Sequence, residues 1–204
     1  TVYTTAVVSS EWEAVNEIQI GGKNLLINSS LRTDSGPFIA NQEVTLSNPN
    51  NEYLRVYSNQ ATSTPGIKLT NLSGIPVNKQ YVVSFEIRGI GGLSSITIYH
   101  GDYGNSVLNI TSSFTRYTVI FGALAAPSWW AILFGNTVIG QGFEIRDVKI
   151  ELGNKATDWT PAPEDVDAKI NTAQSAAASA QATADIAAAK TEGFTEIEGG
   201  LVTT

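Results

Sequence analysis

The sequence predicts a two-sheet antiparallel β-sandwich followed by a long alanine-rich helix. Three observations point there. Between residues 23 and 160, short apolar or alternating runs recur, separated by turns rich in Gly, Asn and Pro. No stretch of helical periodicity interrupts them. After Pro161 and Pro163 the character changes to an Ala-rich segment that contains neither Gly nor Pro from Asp165 to Lys190.

Residues 1–22 form a lead-in. Ser10-Glu11-Trp12-Glu13 fits a capping box, and Trp12, Val15 and Ile18 recur at helical spacing, which fits a short helix of about two turns, while Ile18 and Ile20 also alternate as in a strand; Gly21-Gly22 ends the zone. The sandwich occupies residues 23–160. Its clearest strands are expected at 24–31, 53–58, 66–70, 81–88, 95–100, 115–121, 129–134 and 143–152. Alternation puts Tyr81, Val83, Phe85 and Ile87 on one face of their strand, and Ile96 and Ile98 on one face of theirs. About eight strands with regular turns fit a jelly-roll sandwich. Residues 161–193 are expected to form a helical stalk. The prolines open it, Glu164 and Asp165 suit its N-terminal dipole, and Gly193 stands where a C-cap would be. Val166, Ile170, Ala173, Ala177, Ala180, Ala184 and Ala187 follow alternating steps of four and three, a coiled-coil-like heptad seam that fits a parallel oligomeric stalk; an Ala seam buries little area, so a lone solvated helix of high intrinsic propensity is the alternative. Residues 194–204 begin a further segment.

Composition excludes several classes. Of 204 residues, 15% are charged, against the usual quarter or so, so hydroxyls and amides supply much of the surface. Net charge is −7, and the 12 basic residues are scattered, which argues against nucleic-acid binding. No apolar run approaches the ~20 residues of a membrane-spanning helix. No secretory signal is read at the N-terminus. With no Cys, a disulfide framework and thiol chemistry are out, and one His makes zinc a poor fit. The chain has no Met and ends in a strand-like Leu201-Val202-Thr203-Thr204, so a piece of a longer protein is expected.

Three stretches carry a family resemblance. Gly21-Gly22-Lys23-Asn24-Leu25-Leu26-Ile27-Asn28-Ser29 resembles the opening, and Tyr81-Val82-Val83-Ser84-Phe85 the central strand, of a jelly-roll module of bacteriophage and prophage tail and tail-fibre proteins. The stretch from Asp147-Val148-Lys149-Ile150-Glu151-Leu152-Gly153 through Asp158-Trp159-Thr160-Pro161 resembles the close of that module. The Ala-rich helix and Ile197-Glu198-Gly199-Gly200-Leu201 resemble the linker and segment that follow it. The resemblance implies a fold like that of jelly-roll carbohydrate-binding modules. It also implies a virion or extracellular tail-like particle, a homotrimer, and contacts with other tail proteins and host surfaces.

The chemistry expected is recognition rather than catalysis. A catalytic triad would have to use His100, which sits beside a Gly-Asp-Tyr-Gly turn and reads as a surface His, with no Gly-x-Ser-x-Gly elbow nearby. Glu86, Glu144 and Asp102 show no spacing that selects a glycosidase pair, and Glu86 and Arg88 read as solvated, outward residues. No cofactor is expected. A structural Ca²⁺ would need oxygen ligands such as Asp102, Asp147, Glu151 and Asp158. A sugar platform would be built from aromatic faces with nearby polar groups: Tyr99, His100, Asp102, Tyr103, Trp129 and Trp130. Trp129 and Trp130 are adjacent, so in a strand only one can face out. Trp159 and Trp12 are expected as structural anchors. The functions that follow are host-surface attachment through weak glycan sites made multivalent, a purely structural spacer, or, third, part of a glycan-degrading tail enzyme.

Overall fold

The computed structural model describes residues 22–61, 64–72, 74–101, 104–122, 129–135 and 138–198, the last eight by backbone only. The chain divides at Pro163 and Glu164 into two compact units. The expected lead-in helix, Trp12 included, lies outside the described residues.

The first unit is a mostly β sandwich of two antiparallel five-stranded sheets. Its strands are β1 (Ile39–Asn41), β2 (Val44–Ser47), β3 (Leu54–Ser58), β4 (Gly66–Leu69), β5 (Tyr81–Ile90), β6 (Ser95–His100), β7 (Asn105–Asn109), β8 (Thr115–Phe121), β9 (Trp130–Leu133) and β10 (Gly142–Leu152). The first sheet runs β1-β4-β9-β6-β7 and the second β2-β3-β10-β5-β8. The core between them follows from alternation. Val83, Phe85 and Ile87 of β5 meet Phe143 and Ile145 of β10 on one side and Ile67, Ile96, Ile98, Trp130 and Ile132 on the other, all buried.

Seven of the eight expected strands are present, with ends displaced by at most two residues. The eighth, at 24–31, is not a strand. Asn28 and Leu31 take positive φ (53° and 55°), which no regular ladder tolerates. The segment still pairs, but irregularly. Leu25 N–H donates to Ile150 O at 2.7 Å, while Asp147 N–H and Val148 N–H donate to Ser30 O and Ser29 O at 3.0 Å each. Those two donors are free because β10 carries a bulge, where the register on β5 slips between Arg146 and Lys149 and Asp147 sits at φ 52°.

The opening and closing motifs therefore meet in space. Asn24, fully buried, is the hub. Its amide donates to Ser29 Oγ (2.9 Å), Thr160 O (2.9 Å) and Val148 O (3.4 Å), and its Oδ1 accepts from the N–H groups of Leu26 (3.1 Å) and Ile150 (3.2 Å). Trp159 joins from the other side, its indole N–H donating to Val148 O at 3.1 Å.

The second unit holds all but the first residue of the helix α1 (Pro163–Glu198). The helix continues through Gly193, so that residue is not the C-cap; high Ala propensity carries the helix past one Gly. From Val166 to Lys190 every side chain is exposed, Ile170 and Ile186 by 49% and 60%. Thr172, Ser175, Ser179 and Thr183 each turn their hydroxyl back to the carbonyl four residues earlier at 2.8–2.9 Å.

Candidate functional site: the outer face of the first sheet

The register of the first sheet lines up one row of outward side chains across all five strands. It reads Ile39, Lys68, Ala131, Tyr99, Asn105. The next row reads Asn41, Gly66, Leu133, Thr97, Val107. The middle of the face is thus floored by Gly66 and Ala131. At Gly66 a Cβ would lie 2.1 Å from Ile132 O, so the neighbouring backbone excludes any side chain there. Five strands spaced ~4.8 Å apart make a surface ~19 Å across, the reach of a short oligosaccharide.

Over this floor stand Tyr99 and Trp129, each partly exposed. Their rings lie 6.3 Å apart and 28° from parallel. Lys68 completes the line from the far side, its Nζ 4.7 Å from the Trp129 ring centroid. Trp129 is held between a cation on β4 and a ring on β6 because it shares the outward face of Ala131, two residues on. The arrangement offers an apolar strip to the CH face of a ring-shaped ligand, bordered by the amide of Asn105 and the hydroxyl of Thr97.

Two of the sequence candidates, Trp130 and His100, do not join this site. Trp130 is 1% exposed and packs on Phe38 and Phe85 at 5.5 and 6.4 Å, so it is a core residue and leaves the platform. Its indole N–H finds no acceptor among the described residues, so area rather than hydrogen bonding holds it there. His100 is not a surface residue either. At 4% exposure it stacks on Phe121 (3.9 Å, 3°), and its Nε2 shares a hydrogen bond with the Tyr81 hydroxyl. Burial pushes the imidazole down to about 4 and the Tyr81 phenol up. The reason is parity: His100 is an even step from Ile98 and Ile96, so it faces in. Asp102 and Tyr103 lie outside the described residues. A pocket of about 320 Å³ lies beside β7 and β8, lined by His100, Asn105, Ser106, Ile120 and Phe121.

Lys68 is the residue that sequence reasoning missed. Its signal is the alternation of Gly66-Ile67-Lys68-Leu69, which turns the one polar side chain outward.

Of the carboxylates considered for catalysis or calcium, Glu86, Glu144, Asp147 and Glu151 are committed elsewhere, and Asp102 lies outside the described residues. Glu144, fully buried, takes Arg55 at 2.6 Å and also Arg88. The Glu144 hydrogen bond raises the Arg55 guanidinium above its ordinary value, against burial. Glu86 pairs with Arg146 at 2.7 Å, so neither it nor Arg88 is simply solvated. Asp147 pairs with Arg32 at 2.6 Å. Glu151 accepts from Lys149 (3.3 Å) and from the N–H and hydroxyl of Thr157 (2.8 and 2.7 Å). Among the described residues no three His, Cys, Asp or Glu side chains converge as metal ligands.

No protein-family model matches this sequence, and no curated protein does. Among solved structures, the sandwich is similar to carbohydrate-binding modules of jelly-roll type. One is the CBM22-1 xylan-binding domain of Paenibacillus barcinonensis Xyn10C, with a TM-score of 0.48, 14% identity, 68% of this chain covered and 99% of that one. Another is a family 29 carbohydrate-binding module, with a TM-score of 0.47, 12% identity, and 64% and 83% covered. A third is the enzymatically active domain of bacteriophage CBA120 tailspike protein 4, with a TM-score of 0.43, 12% identity, and 63% and 21% covered.

Proposed function

We propose that this chain is a non-catalytic, glycan-binding segment of a phage or prophage tail or tail-fibre protein, working in attachment to the host surface. The observation that carries the binding part is the Tyr99–Trp129 pair on the outer face of the first sheet, over a floor kept low by Gly66 and Ala131. Two aromatic rings exposed together are an unfavourable use of a solvated face unless something covers them. A sugar ring stacked on them gains apolar contact without ordering a flexible side chain. The tail setting is supported by the resemblance of the opening and closing motifs. Oligomerisation would run through the heptad seam of α1, as a trimer in which three weak sites act together.

A second reading has its own observation. Asn24 bonds both to the opening turn and to Thr160 O, so the chain enters and leaves the sandwich at one hub. A module tied off in this way suits a spacer that hangs from a filament without carrying its load.

The test is a glycan-array screen of the chain beside Tyr99→Ala and Trp129→Ala, with sedimentation to set the oligomeric state. Binding that falls at least tenfold in each folded variant is expected. Binding unaffected by both substitutions would remove this face from the function. Silence of the oligomeric wild type towards host-type glycans would leave the spacer reading.

A further inference from the structure

The first sheet is electrostatically unlike the second. Its five strands contain no Asp or Glu, and their one formally charged side chain is Lys68. The protein as a whole carries −7. Lys68 lies in no salt bridge among the described residues, whereas Arg55, Arg88, Arg146 and Lys149 of the second sheet each hold a carboxylate. Its ammonium rests over the Trp129 ring instead, at 4.7 Å, within the aromatic strip itself.

A cation in no salt bridge among the described residues, on strands without Asp or Glu, beside the rings that would stack a sugar, selects charge. An anionic group borne by the stacked sugar would reach Lys68 with no carboxylate on the five strands competing for it or repelling it. A neutral glycan would leave that ammonium partly desolvated and unpaired, which costs free energy. We infer that the ligand of this face is an acidic glycan, whose carboxylate or phosphate meets Lys68 while its ring lies on Trp129 and Tyr99. This inference rests on the glycan-binding reading above and adds the substrate class. The anion comes from a uronic acid or from a phosphodiester-linked sugar, and the two sources share this chemistry.

The experiment is affinity electrophoresis and calorimetry of the full chain against three probes. These are polygalacturonate, a glycerol-phosphate polymer carrying sugar substituents, and neutral xylan. The wild type is expected to bind at least one acidic polymer roughly tenfold tighter than xylan, with the preference shrinking as salt rises from low to about 0.5 M. Lys68→Gln is expected to abolish that preference, Lys68→Arg to keep it, and Lys79→Gln, an exposed charge-matched control, to leave it intact. Which acidic polymer binds identifies the anion's source. Equal affinity for acidic and neutral polymers, or a preference unchanged in Lys68→Gln, overturns the charge inference while leaving glycan binding standing. No binding to any glycan, here or on the array, overturns both.

Discussion

The two sheets of this sandwich have the same number of strands and share one core, yet their outer faces are opposites. The strands of the second sheet carry nine charged residues: Arg55, Glu86, Arg88, Arg116, Glu144, Arg146, Asp147, Lys149 and Glu151. Every one of them has a partner. Arg116, for example, donates to Ser84 Oγ at 2.7 Å, and Phe114 lies under Arg88 and Arg146 at 4.6 and 4.3 Å. The closing motif folds back on the end of this face, where Lys149 and Glu151 are buried against Thr157 and the Asp158 carbonyl. The strands of the first sheet carry one charge, and its outer face leaves Tyr99 and Trp129 partly exposed and Ile39 and Val107 open. One face has been spent on holding the module and its two ends together, and the other is left available. Charge density therefore marks the structural face here, because a carboxylate buried in a sheet, as Glu144 and Glu151 are, demands partners from neighbouring strands and segments.

That contrast can be broken at several depths. The largest effect is expected at Trp130, where Trp130→Ala opens a cavity against Phe38 and Phe85 and costs about 4 kcal/mol in urea unfolding. Its neighbour Trp129→Ala should cost under about 1 kcal/mol yet remove glycan binding. Equal stability losses at the two positions would contradict the assignment of faces. Glu144→Ala comes next. It strands Arg55 and Arg88 together and should lower stability by about 3 kcal/mol, while glycan affinity of the folded fraction stays unchanged. A binding change as large as that at Trp129 would mean the two faces are coupled.

A smaller effect follows from His100. Its native value of about 4 lies below the ordinary 6.5, so the unfolded chain takes up the proton first as pH falls. The contribution of the neutral imidazole is complete above pH 6.5 and is lost between about 6.5 and 4. It amounts to roughly 2 kcal/mol, discounted because the ring borders an open cleft. His100→Gln should flatten the stability profile over that window, read from thermal melts in steps of half a pH unit. A wild-type profile already flat there would show that the imidazole is hydrated.

Much of this was legible from pattern. Alternation at Tyr81, Val83, Phe85 and Ile87 located the central strand and its inner face, and most of the other long strands were as clear. The strands that escaped were β1, β2 and β7, all at sheet edges. Edge strands are short and half solvated, and their residues need not alternate cleanly. The bulge in β10 left a trace that a closer reading catches: Phe143 and Ile145 keep one phase, Val148 and Ile150 the other. The opening motif misled because Asn24-Leu25-Leu26-Ile27 has strand composition, while Asn24 acts through hydrogen bonds to residues more than a hundred positions away.

The sequence by itself determined the fold class, the change to a helix after Pro163, the inward faces of the long strands, and that only one of Trp129 and Trp130 could face outward. These are local consequences of a two-residue period and of Ala propensity, and they need no knowledge of neighbours. Only the tertiary structure decided which tryptophan that was, that Tyr99 and Lys68 flank it from different strands, and that the two terminal motifs close on one asparagine. Those facts depend on strand order and register, which are set by how the two sheets fill their common core.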